Sequence, residues 1–221
     1  MKQKLEADGL SVQYDNRTIL SDIHIKCETG ELIGLLGRNG QGKSTLLQAI
    51  FGLKACEKSI RINNRSQNEA YKKEGLIRYL PQFNFLPKSM TLKQVFEDYR
   101  LSYPAFETHF TEFFHRDDTS VKQLSGGQQR LIEIYIILAS DSFFALLDEP
   151  FTQLSPIQIE KVKDFIVAKK SSKGIIITDH LYKHVLEISN CNYLLKNGKT
   201  YLIKDLSEIE KHGYTMPVLD R

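Results

Sequence analysis

Apolar and polar residues alternate near the start of the chain. Leu10-Ser11-Val12-Gln13-Tyr14 and the stretch from Ile19 to Ile25 have the two-residue period of antiparallel strands. The pattern then changes: Glu31 to Leu36 is an apolar run that ends in a glycine-rich turn. From Lys43 the apolar residues Leu46, Leu47, Ile50 and Phe51 recur at helical spacing, with Gly52 as the stop. Two later runs, Phe143 to Leu147 and Gly174 to Thr178, are short, continuous and β-rich, as in strands of a parallel sheet covered on both faces. The stretch Pro156 to Lys170 between them puts Ile159, Val162, Phe165 and Ile166 on one helical face, and strand, helix, strand implies an α/β sheet.

Residues 85–123 differ in kind. Thr91 and Gln94 form a capping box for a helix whose Leu92, Val95, Phe96 and Tyr99 share a face. A second helix is expected after Pro104, carrying Phe106, Phe110, Phe113 and Phe114. These aromatics read either as the core of a helical insertion or as a docking surface for a partner.

Composition narrows the class. Of the 221 residues, 41% are hydrophobic and 26% charged, and 30 Lys+Arg against 27 Asp+Glu leave a charge of +3. This is an ordinary globular balance, and no nucleic-acid partner is expected. The longest apolar run, Ile132 to Ala139, contains Glu133 and falls short of the ~20 residues that span a bilayer. With no apolar signal core after Met1, the expected location is cytoplasmic. Cys27, Cys56 and Cys191 stand singly, which suits reduced thiols better than disulfides or zinc.

Three motifs carry chemistry. Gly37-Arg38-Asn39-Gly40-Gln41-Gly42-Lys43-Ser44 satisfies G-x-x-x-x-G-K-[ST] between an expected strand and an expected helix. Its glycines let backbone N–H groups turn toward phosphate oxygens, Lys43 reaches the β- and γ-phosphates, and Ser44 offers a hydroxyl to Mg²⁺. Thr45 follows in the same helical turn. Asp148 and Glu149 close an apolar strand, where one carboxylate can serve the metal and the next can orient and deprotonate a water. Leu124-Ser125-Gly126-Gly127-Gln128 opens an expected helix; alone it reads equally as a phosphate-binding helix start or an ordinary N-cap turn.

Together, and in this order, the motifs resemble those of the nucleotide-binding subunit of an ATP-binding-cassette (ABC) transporter, over about Leu5 to Leu206. The resemblance implies an α/β fold over residues 1–221: a P-loop NTPase core with a mixed, mainly parallel sheet, an N-terminal antiparallel β subdomain and a helical insertion at about 85–140. It implies ATP and Mg²⁺ as cofactors. Tyr14 would stack on adenine, Gln82 would join γ-phosphate and metal to the helical insertion, Ser125 to Gln128 would be the signature, and His180 would sense the γ-phosphate. The metal set would be Ser44, Gln82 and Asp148; the catalytic set Glu149, His180 and Gln82.

In such proteins two subunits, alike or different, pair head to tail around ATP. A separate integral membrane permease supplies the spanning segments, so the expected place is peripheral, on the inner face of the membrane. A soluble assembly ATPase of the same superfamily is the alternative. Asp148 to Phe151 with Pro156-Ile157, and Ile177 to His180, are similar to subunits that power lipopolysaccharide export and branched-chain amino-acid uptake. The chain departs from the family twice: Ser155 stands where a loop Asp is usual, and Tyr135-Ile136-Ile137 replaces Ala-Arg-Ala. About 40 residues follow His180, too few for an appended regulatory domain.

Overall fold

Short β-rich runs and capped amphipathic segments become strands and helices among the described residues. The structure, a computed structural model, describes residues 2–14, 17–54, 57–67, 69–204 and 208, with the side chains of all but 14 and 57–59. The strands are β1 (Lys4–Tyr14), β2 (Arg17–Glu28), β3 (Leu32–Leu36), β4 (Glu57–Ile62), β5 (Arg65–Ser66), β6 (Gly75–Leu80), β7 (Ser142–Asp148), β8 (Gly174–Thr178), β9 (Cys191–Lys196) and β10 (Lys199–Ile203). The helices are α1 (Lys43–Phe51), α2 (Leu92–Asp98), α3 (Tyr103–His109), α4 (Gly126–Ala139), α5 (Pro156–Lys169) and α6 (Tyr182–Ile188).

The strands form one sheet in the order β5-β4-β1-β2-β10-β9-β3-β8-β7-β6. From β9 to β6 neighbours are parallel; β1, β2, β4 and β5 form an antiparallel wing. Two hairpins have a simple local cause. Asn63-Asn64 and Asn197-Gly198 all have positive φ, which two-residue turns require and which Asn and Gly tolerate.

Continuous apolar strands are explained by two cores on opposite faces. In β3, Leu32 and Leu36 join one core while Ile33 and Leu35 join the other; β8 divides Ile175 and Ile177 from Ile176 in the same way. Helix α1 lies in the second core, and α4, α5 and the helices between β6 and β7 lie in the first. Both ends of α1 follow the sequence: Lys43 begins it and Gly52, left-handed at φ 102°, stops it.

Between β6 and β7 the Thr91 capping box is present in both arms. The second helix differs from expectation. It begins one residue before Pro104, which is tolerated because first-turn N–H groups have no partner within the helix. It ends at His109, and Phe113 sits in a separate 3-10 turn, where its carbonyl accepts from the Tyr103 hydroxyl at 2.8 Å. Phe106, Phe110 and Phe113 are fully buried and Phe114 is exposed, so three of the four aromatics are core.

The unusual Tyr135 has a clear place in this packing. Its ring stacks on Phe165 of α5 with centroids 5.2 Å apart, and meets Phe106 at 5.0 Å and Phe96 at 5.9 Å. The helical insertion is thereby joined to the core through aromatic contacts. A small residue at this position would leave the stack open. Expected cost of Tyr135→Ala is about 3–5 kcal/mol in urea unfolding, with Tyr135→Phe within about 1 kcal/mol of the native chain.

Candidate functional site

Four neighbouring parallel strands, β3, β8, β7 and β6, end on the same rim of the sheet, and the loops beyond their carboxyl ends converge there. Residues 37–42 turn from β3 into α1. Gly40 and Gly42 are left-handed (φ 79° and 98°), and a Cβ on Gly37 would lie 2.7 Å from the Leu195 carbonyl oxygen. Larger residues would thus strain or push out the loop.

A cleft of about 470 Å³ is lined by Asn39, Gly40, Gly42, Lys43, Ser44 and Thr45 on the loop side and by Gln82, Glu149 and His180 opposite, with Ile19 of β2 completing it. Lys43 is buried and its Nζ donates to the carbonyls of Gly37 at 2.7 Å and Arg38 at 3.3 Å. Burial pushes its ammonium down from the usual lysine value, while the carboxylates of Glu149, Asp148 and Asp179 act the other way. Asp148 closes β7 beneath the loop: Ser44 Oγ donates to its Oδ1 at 3.0 Å and the Tyr79 hydroxyl to its Oδ2 at 2.9 Å. Burial pushes the Asp148 carboxyl up, and these two hydrogen bonds oppose the shift.

Glu149 follows in left-handed backbone, φ 49°, with its N–H on the Thr178 carbonyl at 2.8 Å. Gln82 Nε2 donates to Glu149 Oε2 at 2.7 Å, and His180 Nδ1 lies 3.5 Å from that oxygen and 3.5 Å from Asp179 Oδ1. Asp179 is buried and accepts from the N–H groups of Phe151 and Leu181, which pins the loop after Glu149 to the end of β8. The structure thus brings Lys43, Ser44, Gln82, Asp148, Glu149 and His180 together. The side chain of Tyr14 lies outside the described residues, as does Cys56.

The Ser125 to Gln128 segment is elsewhere. Ser125 caps α4, its Oγ accepting from the Gln128 N–H at 3.2 Å and its own N–H donating to Gln128 Oε1 at 3.0 Å. None of its residues lines the cleft. Gly126 and Gly127 pack under Gln153: a Cβ would fall 2.0 Å from the Gln153 amide oxygen at Gly126 and 2.5 Å from its backbone oxygen at Gly127. Ser155 caps α5, accepting from the Gln158 N–H at 3.4 Å, so the serine at this position has a local role of its own.

Sequence reasoning did not single out Tyr79, Arg130, Glu133 or Asp179. Signals existed for two of them. Arg130 and Glu133 are charged residues three apart in the most apolar helix, and a buried charge needs a partner. The partners, however, come from distant segments.

The profile of the ABC transporter family matches residues 20–152. The chain belongs to the ABC transporter family. It is 30% identical over 218 residues to the lipopolysaccharide export system ATP-binding protein LptB of Haemophilus influenzae, covering 88% of each chain. Against LptB of Escherichia coli K12 it is 30% identical over 213 residues, covering 88% of this chain and 87% of that one. A solved ATP binding subunit of an ABC transporter shares the fold, with a TM-score of 0.82 at 24% identity over 95% of this chain and 93% of the other. This chain is therefore an ABC ATP-binding subunit that hydrolyses ATP, weakly LptB-like, with the P-loop NTPase architecture.

Two outcomes follow for this ABC ATPase. Because the Asp148 carboxyl is raised in the folded chain, the folded state binds more protons than the unfolded state above the ordinary aspartate range. Stability then falls as pH rises through that window, so the ionised carboxylate is a standing cost at neutral pH. Asp148→Asn is expected to be more resistant to urea at pH 7 than the native chain, the difference shrinking toward pH 4, while ATP hydrolysis is lost. Gly127→Ala must move backbone and Gly126→Ala only the end of a side chain; calorimetry should give the former the larger loss, about 1–3 kcal/mol.

Proposed function

We propose that this ATPase pairs head to tail with a second ABC subunit and drives a separate integral membrane permease. The separation of Ser125 to Gln128 from the cleft in its own chain carries this reading. A helix start with paired glycines, capped and braced against Gln153, suits phosphate contact, and a partner chain is the surface able to present it to the cleft. Among the described residues no helix is long and apolar enough to cross a membrane, and an exposed Phe83 stands directly beside Gln82. The exposed Phe83 supports a permease docked near the helical insertion, and the subunit is read as peripheral on the inner face of the membrane.

The geometry of the cleft supports the roles of its lining residues, and the family resemblance supports that of Tyr14. N–H groups of the 37–42 loop and Lys43 bind the phosphates, and Tyr14 is assigned the adenine. The Ser44 hydroxyl and the Asp148 carboxylate, 3.0 Å apart, form an all-oxygen set suited to a small hard cation, with the Gln82 amide as a third contributor. Mg²⁺ bound there would neutralise phosphate charge. Glu149 orients the attacking water and takes its proton as the bond from the β–γ bridging oxygen to the γ-phosphorus breaks. Gln82, bonded to Glu149, reports the presence of the γ-phosphate to the helical insertion, and His180 contacts that phosphate from the other side. ATP bridges the two chains; its hydrolysis removes the bridge, and this difference in affinity moves the permease.

Glu149→Gln tests the assignment. Turnover is expected to drop by about 10²–10⁴-fold with ATP binding kept and an ATP-dependent dimer visible by light scattering; unchanged steady-state hydrolysis rejects Glu149 as the base. Co-purification from detergent extract tests the partner: a polytopic membrane protein supports the permease, and soluble partners alone support an assembly ATPase.

A further inference from the structure

We infer that Arg130, braced by Glu133, is the positioning residue that holds the catalytic carboxylate of Glu149 in place and ties it to the signature helix α4. The inference rests on the reading of Glu149 as base. The Arg130 side chain is 1% exposed, and its donors are spent on backbone carbonyls of two separate segments. Nη2 donates to Asp148 O at 2.8 Å and Glu149 O at 2.9 Å, Nη1 to Pro81 O at 2.7 Å, and Nε more weakly to Pro150 O at 3.4 Å. One guanidinium thus clamps three successive residues around Glu149 to the residue before Gln82. Its planar fork can serve these carbonyls together, whereas an ammonium is a point donor.

The clamp acts where the backbone is strained. Glu149 has φ 49°, a left-handed region that non-glycine residues occupy only when their surroundings hold them there. Its N–H is held by Thr178 of β8 and its carbonyl by Arg130, so both peptide groups are fixed from outside. Glu133 completes the device. Its Oε1 accepts from the N–H groups of Phe85 at 2.7 Å and Leu86 at 3.3 Å, just beyond Gln82. Its Oε2, sealed from solvent, lacks a hydrogen bond and lies 3.6 Å from Arg130 Nη1, an ion pair within α4.

Position along the chain gives the pair its meaning. Arg130 lies one helical turn and a half beyond Ser125, on the helix whose start faces the partner's nucleotide in the proposed dimer. A shift of α4 on contact with that nucleotide moves Arg130, and with it the backbone of Glu149 and the Pro81 carbonyl. Occupancy of the partner's site is in this way linked to the geometry of the base in this one. Arg130 lies outside the cleft lining, so the link runs through Glu149 and not through the bound ATP.

Arg130→Lys tests this, with thermal melting and binding of a fluorescent ATP analogue measured on the same preparation. The expected result is a kcat lowered about 10–100-fold, an ATP affinity within threefold of the native chain, and a displaced acid limb in the pH profile of kcat. A merely structural arginine would lower the melting temperature and leave kcat per folded molecule and the pH profile unchanged; that result overturns the inference. Should Arg130→Lys fail to fold, Glu133→Gln is read instead. It keeps the acceptor for Phe85 and Leu86 but sets an amide donor toward Nη1, and a kcat unchanged in this folded variant also overturns the inference. Failure of the underlying reading is distinguishable: it appears as normal turnover in Glu149→Gln, whatever the Arg130 variant does.

Discussion

The site depends on one constraint: the central strands β3 and β8 are buried at every position and β7 at all but Phe143, so polar groups emerge from them only at their ends. Because these strands run parallel, all their carboxyl ends lie on the same rim. The phosphate loop after Leu36, the carboxylates at 148–149 and the Asp179-His180 pair are neighbours for that reason alone. β6 adds Gln82 from the sheet edge. Sequence separations of more than a hundred residues therefore collapse into a single cleft.

Burial of charge is the second theme. Lys43, Asp148, Asp179, Arg130 and Glu133 are all nearly removed from solvent, and burial opposes the charged form of each. Each is held by specific acceptors or donors in compensation: backbone carbonyls around Lys43 and Arg130, hydroxyls on Asp148, and backbone N–H groups on Asp179 and Glu133. A chain selected only for stability would place apolar groups at such positions. Their presence, together with a left-handed glutamate, marks a rim built for chemistry.

Two braces join the Ser125 to Gln128 segment to this rim. Gly127 admits the Gln153 backbone and Gly126 the end of its side chain, and three residues beyond Gly127 Arg130 reaches the Asp148 and Glu149 carbonyls. Ser155 is absorbed in capping α5. Contacts within the chain thus surround the loop after Glu149 on the helix side and, through Asp179, on the sheet side.

By itself the sequence determined the local elements and the chemistry-bearing motifs. The phosphate loop, the Asp148-Glu149 strand end, the Ser125 cap and the two long helices were legible because short-range rules govern them: glycine backbone freedom, capping, and periods of 2 and 3.6. Only the tertiary structure decided which faces were core, that Phe113 leaves α3 for its own turn, why α4 carries Tyr135, and that Arg130 serves Pro81, Asp148 and Glu149. Those outcomes depend on partners dozens of residues away, brought together by strand order and two-sided packing, and no local pattern encodes the partner of a buried guanidinium or aromatic ring.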